Sequence, residues 1–400
     1  MHHISSVAQR LLASLVLVLI LALTSAAQSI TPITQQIALP GSPFAVAVTP
    51  DGRYVFASLS GLAAGIAIIE QDRASATLLG VLATNDPVFG LAVTSDGKYL
   101  LDTVQGTPAV QIIDIKQAIA GSTSAILGTI PLPYNAGPIE VAISNDDRFA
   151  FVANESNATV TVIDLKMAIA SPTASAIVGN IPVEIAPVGM AISPDDKLMY
   201  VTNEVANPTD PGYSATACTT STGSTMPEGT LTVVDLRKAE HDPANSVLAS
   251  VYAGCSPVRV VLSREGHIVW VTARMEDNLL AFDAKRLLDN PADALISRTP
   301  VGVAPVGLQL FDRGRRMAVA NSNRFTTGQV GTVSIVSTSR ALRNRGSAAT
   351  LATFAAGQFP RQWALSPNGE YLYLTEFSSN LLAIFPVPPL LEDVKAADKE

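Results

Sequence analysis

Apolar residues do not run evenly along this chain. They come in short alternating stretches separated by tight polar turns, and the arrangement recurs. One phrase opens each copy: proline, an apolar stretch, a turn, then a second apolar stretch. The copies are SPFAVAVTPDGRYVFAS, DPVFGLAVTSDGKYLLDT, GPIEVAISNDDRFAFVAN, APVGMAISPDDKLMYVTN, SPVRVVLSREGHIVWVTA, APVGLQLFDRGRRMAVAN and FPRQWALSPNGEYLYLTE. Their prolines are Pro43, Pro87, Pro138, Pro187, Pro257, Pro305 and Pro360, spaced 44, 51, 49, 70, 48 and 55 residues apart. A third stretch follows each copy (GIAIIE, AVQIIDI, TVTVIDL, TLTVVDL, NLLAFDA, TVSIVST, NLLAIFPV), and a fourth closes most of them. Alternating β-branched runs broken by Asp-Gly, Asn-Gly or Asp-Asp predict antiparallel strands joined by hairpins.

Four strands per unit and seven units predict an all-β, seven-bladed β-propeller of four-stranded antiparallel blades. A linear solenoid needs capping repeats at both ends, and none is visible. The seventh unit shows only three strands, while a stray strand, Thr34 to Leu39, precedes the first. That strand is expected to complete blade seven and close the ring, removing two sheet edges. Unit 2 carries one extra residue before its turn, which suggests a bulge. The expected organisation is a signal peptide over 1–27, a propeller over 28–389 and a charged, frayed tail over 390–400.

Composition narrows the class. The chain has 400 residues, 48% apolar and 15% charged, so a large core is possible and disorder is excluded. Its net charge is −8 with no basic block, which argues against a nucleic-acid partner. Arg10, the 13-residue run Leu11 to Leu23 and the small Ser25-Ala26-Ala27 read as a secretory signal cut before Gln28. The run is short for a membrane-spanning helix; an uncleaved anchor is the alternative. A secreted or periplasmic location follows, with no membrane span after signal removal. The two cysteines, Cys218 and Cys255, are then expected to pair. Cys218 lies in a long Thr-, Ser- and Pro-rich insertion in unit 4, and Cys255 in the loop leading into unit 5, on the same face of neighbouring blades.

The repeats resemble the YVTN family of seven-bladed propellers, which includes YncE-like periplasmic proteins. Tyr200-Val201-Thr202-Asn203 with SPDDK before it and VVDL after it carries the resemblance, and Phe151-Val152-Ala153-Asn154 with VIDL is nearly as close. It spans about residues 34–387. Ser58, Thr103, Ala273 and Glu376 stand at or beside the asparagine's place in units 1, 2, 5 and 7. The resemblance implies architecture rather than activity. Propeller lactonases have similar repeats and supply an enzyme alternative.

Second strands end, and first strands begin, on the same face of a meander. Glu140, Asn154, Glu155, Asn203, Glu204, Arg259, Arg274, Asn321, Arg361 and Glu376 are therefore expected to ring one mouth of the channel. Such a ring can bind a polar ligand, with arginine taking a carboxylate or phosphate; solvated loop charge is the plainer alternative. The repeated Asp114, Asp164, Asp235 and Asp283, and the Asp-Gly turns, read as turn chemistry rather than calcium loops. His241 and His267 sit in no nucleophile motif, and no G-x-S-x-G, phosphate loop or redox-cofactor motif occurs. The expectation is a monomeric scaffold without a cofactor or metal, binding a protein or small polar ligand at the mouth. The alternative is a secreted lactonase-type hydrolase with no assigned catalytic residue; a metal-assisted version would draw on Glu140, Glu155, Asn203 and Glu204.

Overall fold

The computed structural model describes residues 28–32, 34–72, 75–219, 223–326 and 328–397. The expected signal segment, 1–27, lies outside them. Seven sheets of four antiparallel strands follow one another, over residues 42–83, 88–131, 138–182, 185–252, 257–300, 305–355 and 360–386. The last sheet takes its fourth strand from the other end of the chain. Gln35–Ala38 pairs antiparallel with the strand Leu381–Pro386, Gln35 opposite Ile384 and Ala38 opposite Leu381. The ring closes as the stray strand implied. Gln28–Ser29 adds a short parallel fifth strand to blade six, which the repeat pattern did not foreshadow.

The first strands of successive blades pack side by side around the axis. Apolar layers between blades form the core; Leu101, Ile112 and Ile130 of blade two meet Val141, Val152 and Ile163 of blade three. Each first strand has a bulge just past its start. In blade two Val88, not Pro87, takes the register place that proline holds elsewhere, opposite Val104. The extra residue of unit 2 is thus absorbed ahead of the strand.

The second-strand hydroxyls explain part of the repeated phrase. The bulge leaves an N–H without a ladder partner, and a second-strand hydroxyl accepts from it: Ser58 from Ala45 (2.8 Å), Thr103 from Gly90 (2.8 Å), Thr272 from Arg259 (3.1 Å) and Thr375 from Gln362 (3.0 Å). Three of these hydroxyls, Ser58, Thr272 and Thr375, also donate to the first strand of the next blade, at Phe89, Val306 and Phe44, and Thr202 donates likewise to Val258. One side chain thereby satisfies a buried donor and ties two blades together.

The repeated acids have structural partners. Asp114, Asp164 and Asp235 cap short helices after the third strands, each accepting a backbone N–H three residues on, and Ser337 does the same in blade six. In the first hairpin turns Thr49, Thr94, Ser144 and Ser193 donate to Asp51, Asp96, Asp146 and Asp195. Cys218 and Cys255 form a disulfide, with Cα atoms 5.7 Å apart, anchoring the blade-four insertion to the loop before blade five.

The tail departs from expectation. Val387–Ala397 is a helix, and Val387, Leu390, Val394 and Ala397 are buried on it. Their spacing of three and four places them on one face, against the cluster that includes Phe354 and Phe385. Two prolines at the start of a helix are tolerated, because the first turn has no N–H acceptors to lose.

Candidate binding site at the channel mouth

The first residue within each bulge defines a ring: Phe44, Phe89, Ile139, Val188, Val258, Val306 and Arg361. The six apolar members belong to one cluster. Arg361 is the exception, a charged side chain only 8% exposed. Its guanidinium lies 3.3 Å from the centroid of the Phe44 ring and 5.4 Å from that of Phe359.

Other charges gather around it from several blades. Arg259 of blade five reaches Glu140 of blade three at 3.6 Å, passing over blade four and donating to the Val188 carbonyl on the way. Arg274, after the second strand of blade five, pairs with Glu204 of blade four at 2.6 Å and donates to Ser256 at 2.8 Å. Glu155 interacts electrostatically with Arg259, Arg274 and Arg361. Glu140 feels Arg361 from the far side of the ring. The structure thus brings together Glu140, Glu155, Glu204, Arg259, Arg274 and Arg361.

It does not bring the asparagines there. Asn154, Asn203 and Asn321 are fully buried within their blades. Each donates its amide to two hydroxyls of the third strand: Thr159 and Thr161, Thr230 and Thr232, Thr332 and Ser334, all at 2.8–3.0 Å. Glu376 is buried too, and accepts the Gly357 N–H at 2.9 Å.

Sequence reasoning missed Arg324 and the phenylalanines. Arg324 lies on the exposed loop between the second and third strands of blade six, 4.8 Å from the Phe359 ring centroid and 5.7 Å from that of Phe325. Phe44, Phe89, Phe359 and Phe377 form a chain of ring contacts with centroids 4.8–6.3 Å apart. Phe359 has φ +53°, a left-handed conformation that blade three gives to Gly137 at the same place. A bulky residue there is strained by about 1–2 kcal/mol, which tertiary packing must offset. The signal for Arg324 was the basic-aromatic pair Arg324-Phe325 in a loop facing the mouth.

The charges are unequal. Four guanidiniums, of Arg259, Arg274, Arg324 and Arg361, face three carboxylates, of Glu140, Glu155 and Glu204. Neither Arg324 nor Arg361 has an ion-pair partner among the described residues. Burial, then the fields of Arg259, Arg324 and Arg274, lower the Arg361 pKa well below its ordinary value. Burial raises Glu140, against the pull of Arg259 and Arg361. Burial and the neighbouring Glu204 raise Glu155. Among the described residues, Nε of Arg361, and Nε and Nη2 of Arg259, are buried donors without an acceptor. This arrangement can hold an anion that supplies what the protein does not.

No three His, Cys, Asp or Glu side chains gather to hold a metal among the described residues. A cavity of about 640 Å³ lies at the opposite, turn end of blades one and two, lined by Asp51, Tyr54, Lys98, Tyr99 and Lys116 among others. It includes none of the anticipated site residues. No helix among the described residues is long and apolar enough to cross a membrane.

Comparison with known proteins agrees with this architecture. Residues 17–210 match the model of the family described as Lactonase, 7-bladed beta-propeller. The chain is similar to lactonase-type propellers. No curated protein matches it. Among solved structures, hydrazine synthase of Kuenenia stuttgartiensis superposes with a TM-score of 0.67 at 18% identity, covering 89% of this chain and 98% of that one. At that identity the likeness concerns the fold alone. Altogether 1435 chains of solved structures match, so the fold by itself names no activity.

Proposed function

We propose that this lactonase-type propeller is a binding protein for a small anion, held at the channel mouth by Arg361 and Arg324. The observation that carries this is the lone guanidinium of Arg361, nearly buried in an otherwise apolar ring with no acid of its own. A buried, unpaired cation is costly, and a bound carboxylate or phosphate offsets that cost. The second-strand hydroxyls and the disulfide hold the surrounding strands and loops, so the site is largely preformed.

Equilibrium titration with acetate and inorganic phosphate tests this reading. Wild-type protein should bind at least one of them, and Arg361→Met should weaken that binding at least about tenfold, the loss of one charge-assisted contact. A folded Arg361→Met protein with unchanged affinity counts against the site.

A hydrolytic reading is favoured by the family match. In it Glu155, whose carboxylate burial and the neighbouring Glu204 make a stronger base than usual, takes a proton from water as the water attacks a lactone carbonyl. The free guanidiniums hold the developing oxyanion; as it collapses the ring acyl C–O bond breaks, and Glu155 returns the proton to the departing alkoxide, giving the hydroxy acid. Acid release from a panel of lactones, abolished by Glu155→Gln, supports it; a panel giving no release above the uncatalysed rate counts against it.

A further inference from the structure

Resting on the anion-site reading, we propose that the ligand is an aromatic carboxylate, its ring lying on the phenylalanines and its carboxylate on Arg361 and Arg324. The mouth is divided. Its acids, Glu140, Glu155 and Glu204, stand on blades three and four; its arginines stand on blades five, six and seven. Its aromatic side chains, Phe325, Phe359, Phe377, Phe44 and Phe89, stand on blades six, seven, one and two.

The two guanidiniums without acids each face two rings, whereas Arg274, paired with Glu204, faces one. Arg361 lies over Phe44 and Phe359, and Arg324 over Phe359 and Phe325. A compact hydrated anion such as phosphate finds half of its surroundings apolar and loses water there without return. A flat apolar body continuous with a carboxylate satisfies both halves at once. Phe325 is 53% exposed, a large ring left open to solvent beside Arg324 and Arg274. Phe359 keeps its ring at the mouth despite its left-handed backbone. The acids opposite add a preference for a hydroxyl or amine donor on the far side of the ligand ring, within reach of Glu140 or Glu155.

Calorimetric titration of the protein with benzoate, 4-hydroxybenzoate, cyclohexanecarboxylate, acetate and inorganic phosphate tests the proposal. Benzoate should bind at least tenfold tighter than acetate or phosphate and about threefold or more tighter than cyclohexanecarboxylate, the margin expected of ring contacts. The 4-hydroxyl should improve it further. Phe325→Ala, at an exposed position, should shrink the advantage of benzoate over acetate; Phe359→Ala should shrink it more. Equal affinity for benzoate and acetate, both lost in Arg361→Met, overturns the aromatic preference and leaves the anion site standing. Absence of binding by every anion overturns both.

Discussion

Arg361 is the side chain on which the functional reading turns, and a second buried charge bears on stability instead. Asp102 is fully buried where the other blades carry Val, Leu or Ala, and burial pushes its pKa up to about 8. Among the described residues it accepts only the Gln111 N–H, at 3.3 Å, and its Oδ2 and the Gln111 Oε1 have no partner. The two residues stand opposite each other in the strand pair, and a protonated carboxyl needs no ionic partner there. The folded pKa lies above the unfolded one, so the stability tied to this proton is full below the ordinary carboxylate range. It is lost as pH rises toward about 8. Thermal melts between pH 5 and 9 should show Asp102→Asn with a flatter profile and a gain of more than about 1 kcal/mol over wild type at the alkaline end. Identical profiles would refute a neutral Asp102. Ser58→Ala removes a hydroxyl that accepts from Ala45 and donates to Phe89; chemical denaturation should register a loss of about 1–3 kcal/mol, since a buried N–H is left unpaired.

Strands and loops were legible to different degrees. Strand period and turn residues are local, so the blades, the closing strand and the cysteine pair could be read directly. The asparagine's orientation depends on strand parity, which chain order alone does not give. Yet the clue was present: units 3, 4 and 6, which carry Asn154, Asn203 and Asn321, also carry paired hydroxyls on the third strand. Arg324 was obscured because a loop's length does not determine where its tip points. The helix Val387–Ala397 was masked by Pro388-Pro389 and the charges behind them, although Leu390 and Val394 keep helical spacing. At this scale the closing strand and the disulfide make the clearest predictions. Deleting residues 34–39 should uncover the edge of Leu381–Pro386 and promote association, seen by light scattering; a monomer with unchanged melting temperature would contradict that role. Cys255→Ser should cost about 3–4 kcal/mol in the chain-entropy account, and intact-mass measurement with and without reductant should show one bridge in the native protein.

The whole molecule is a closed ring that carries an unevenly charged mouth on an acidic body. With a net charge of −8 overall, attraction of an anion must come from the local excess of arginine rather than from the protein's global field. Glu140 and Glu155 hold protons to higher pH than ordinary carboxylates, and a bound anion raises them further. Binding therefore takes up protons, and affinity should increase as pH falls from 8 to 5. Glu155→Gln should reduce that slope. The most direct measurement is a crystal structure with 4-bromobenzoate, whose bromine marks its own position by anomalous scattering. The account predicts a bromine peak at the mouth beside Phe359 or Phe325, with the carboxylate within hydrogen-bond distance of Arg361 or Arg324. A peak only at the turn end between blades one and two, or a mouth without the ligand at saturating concentration, would contradict it.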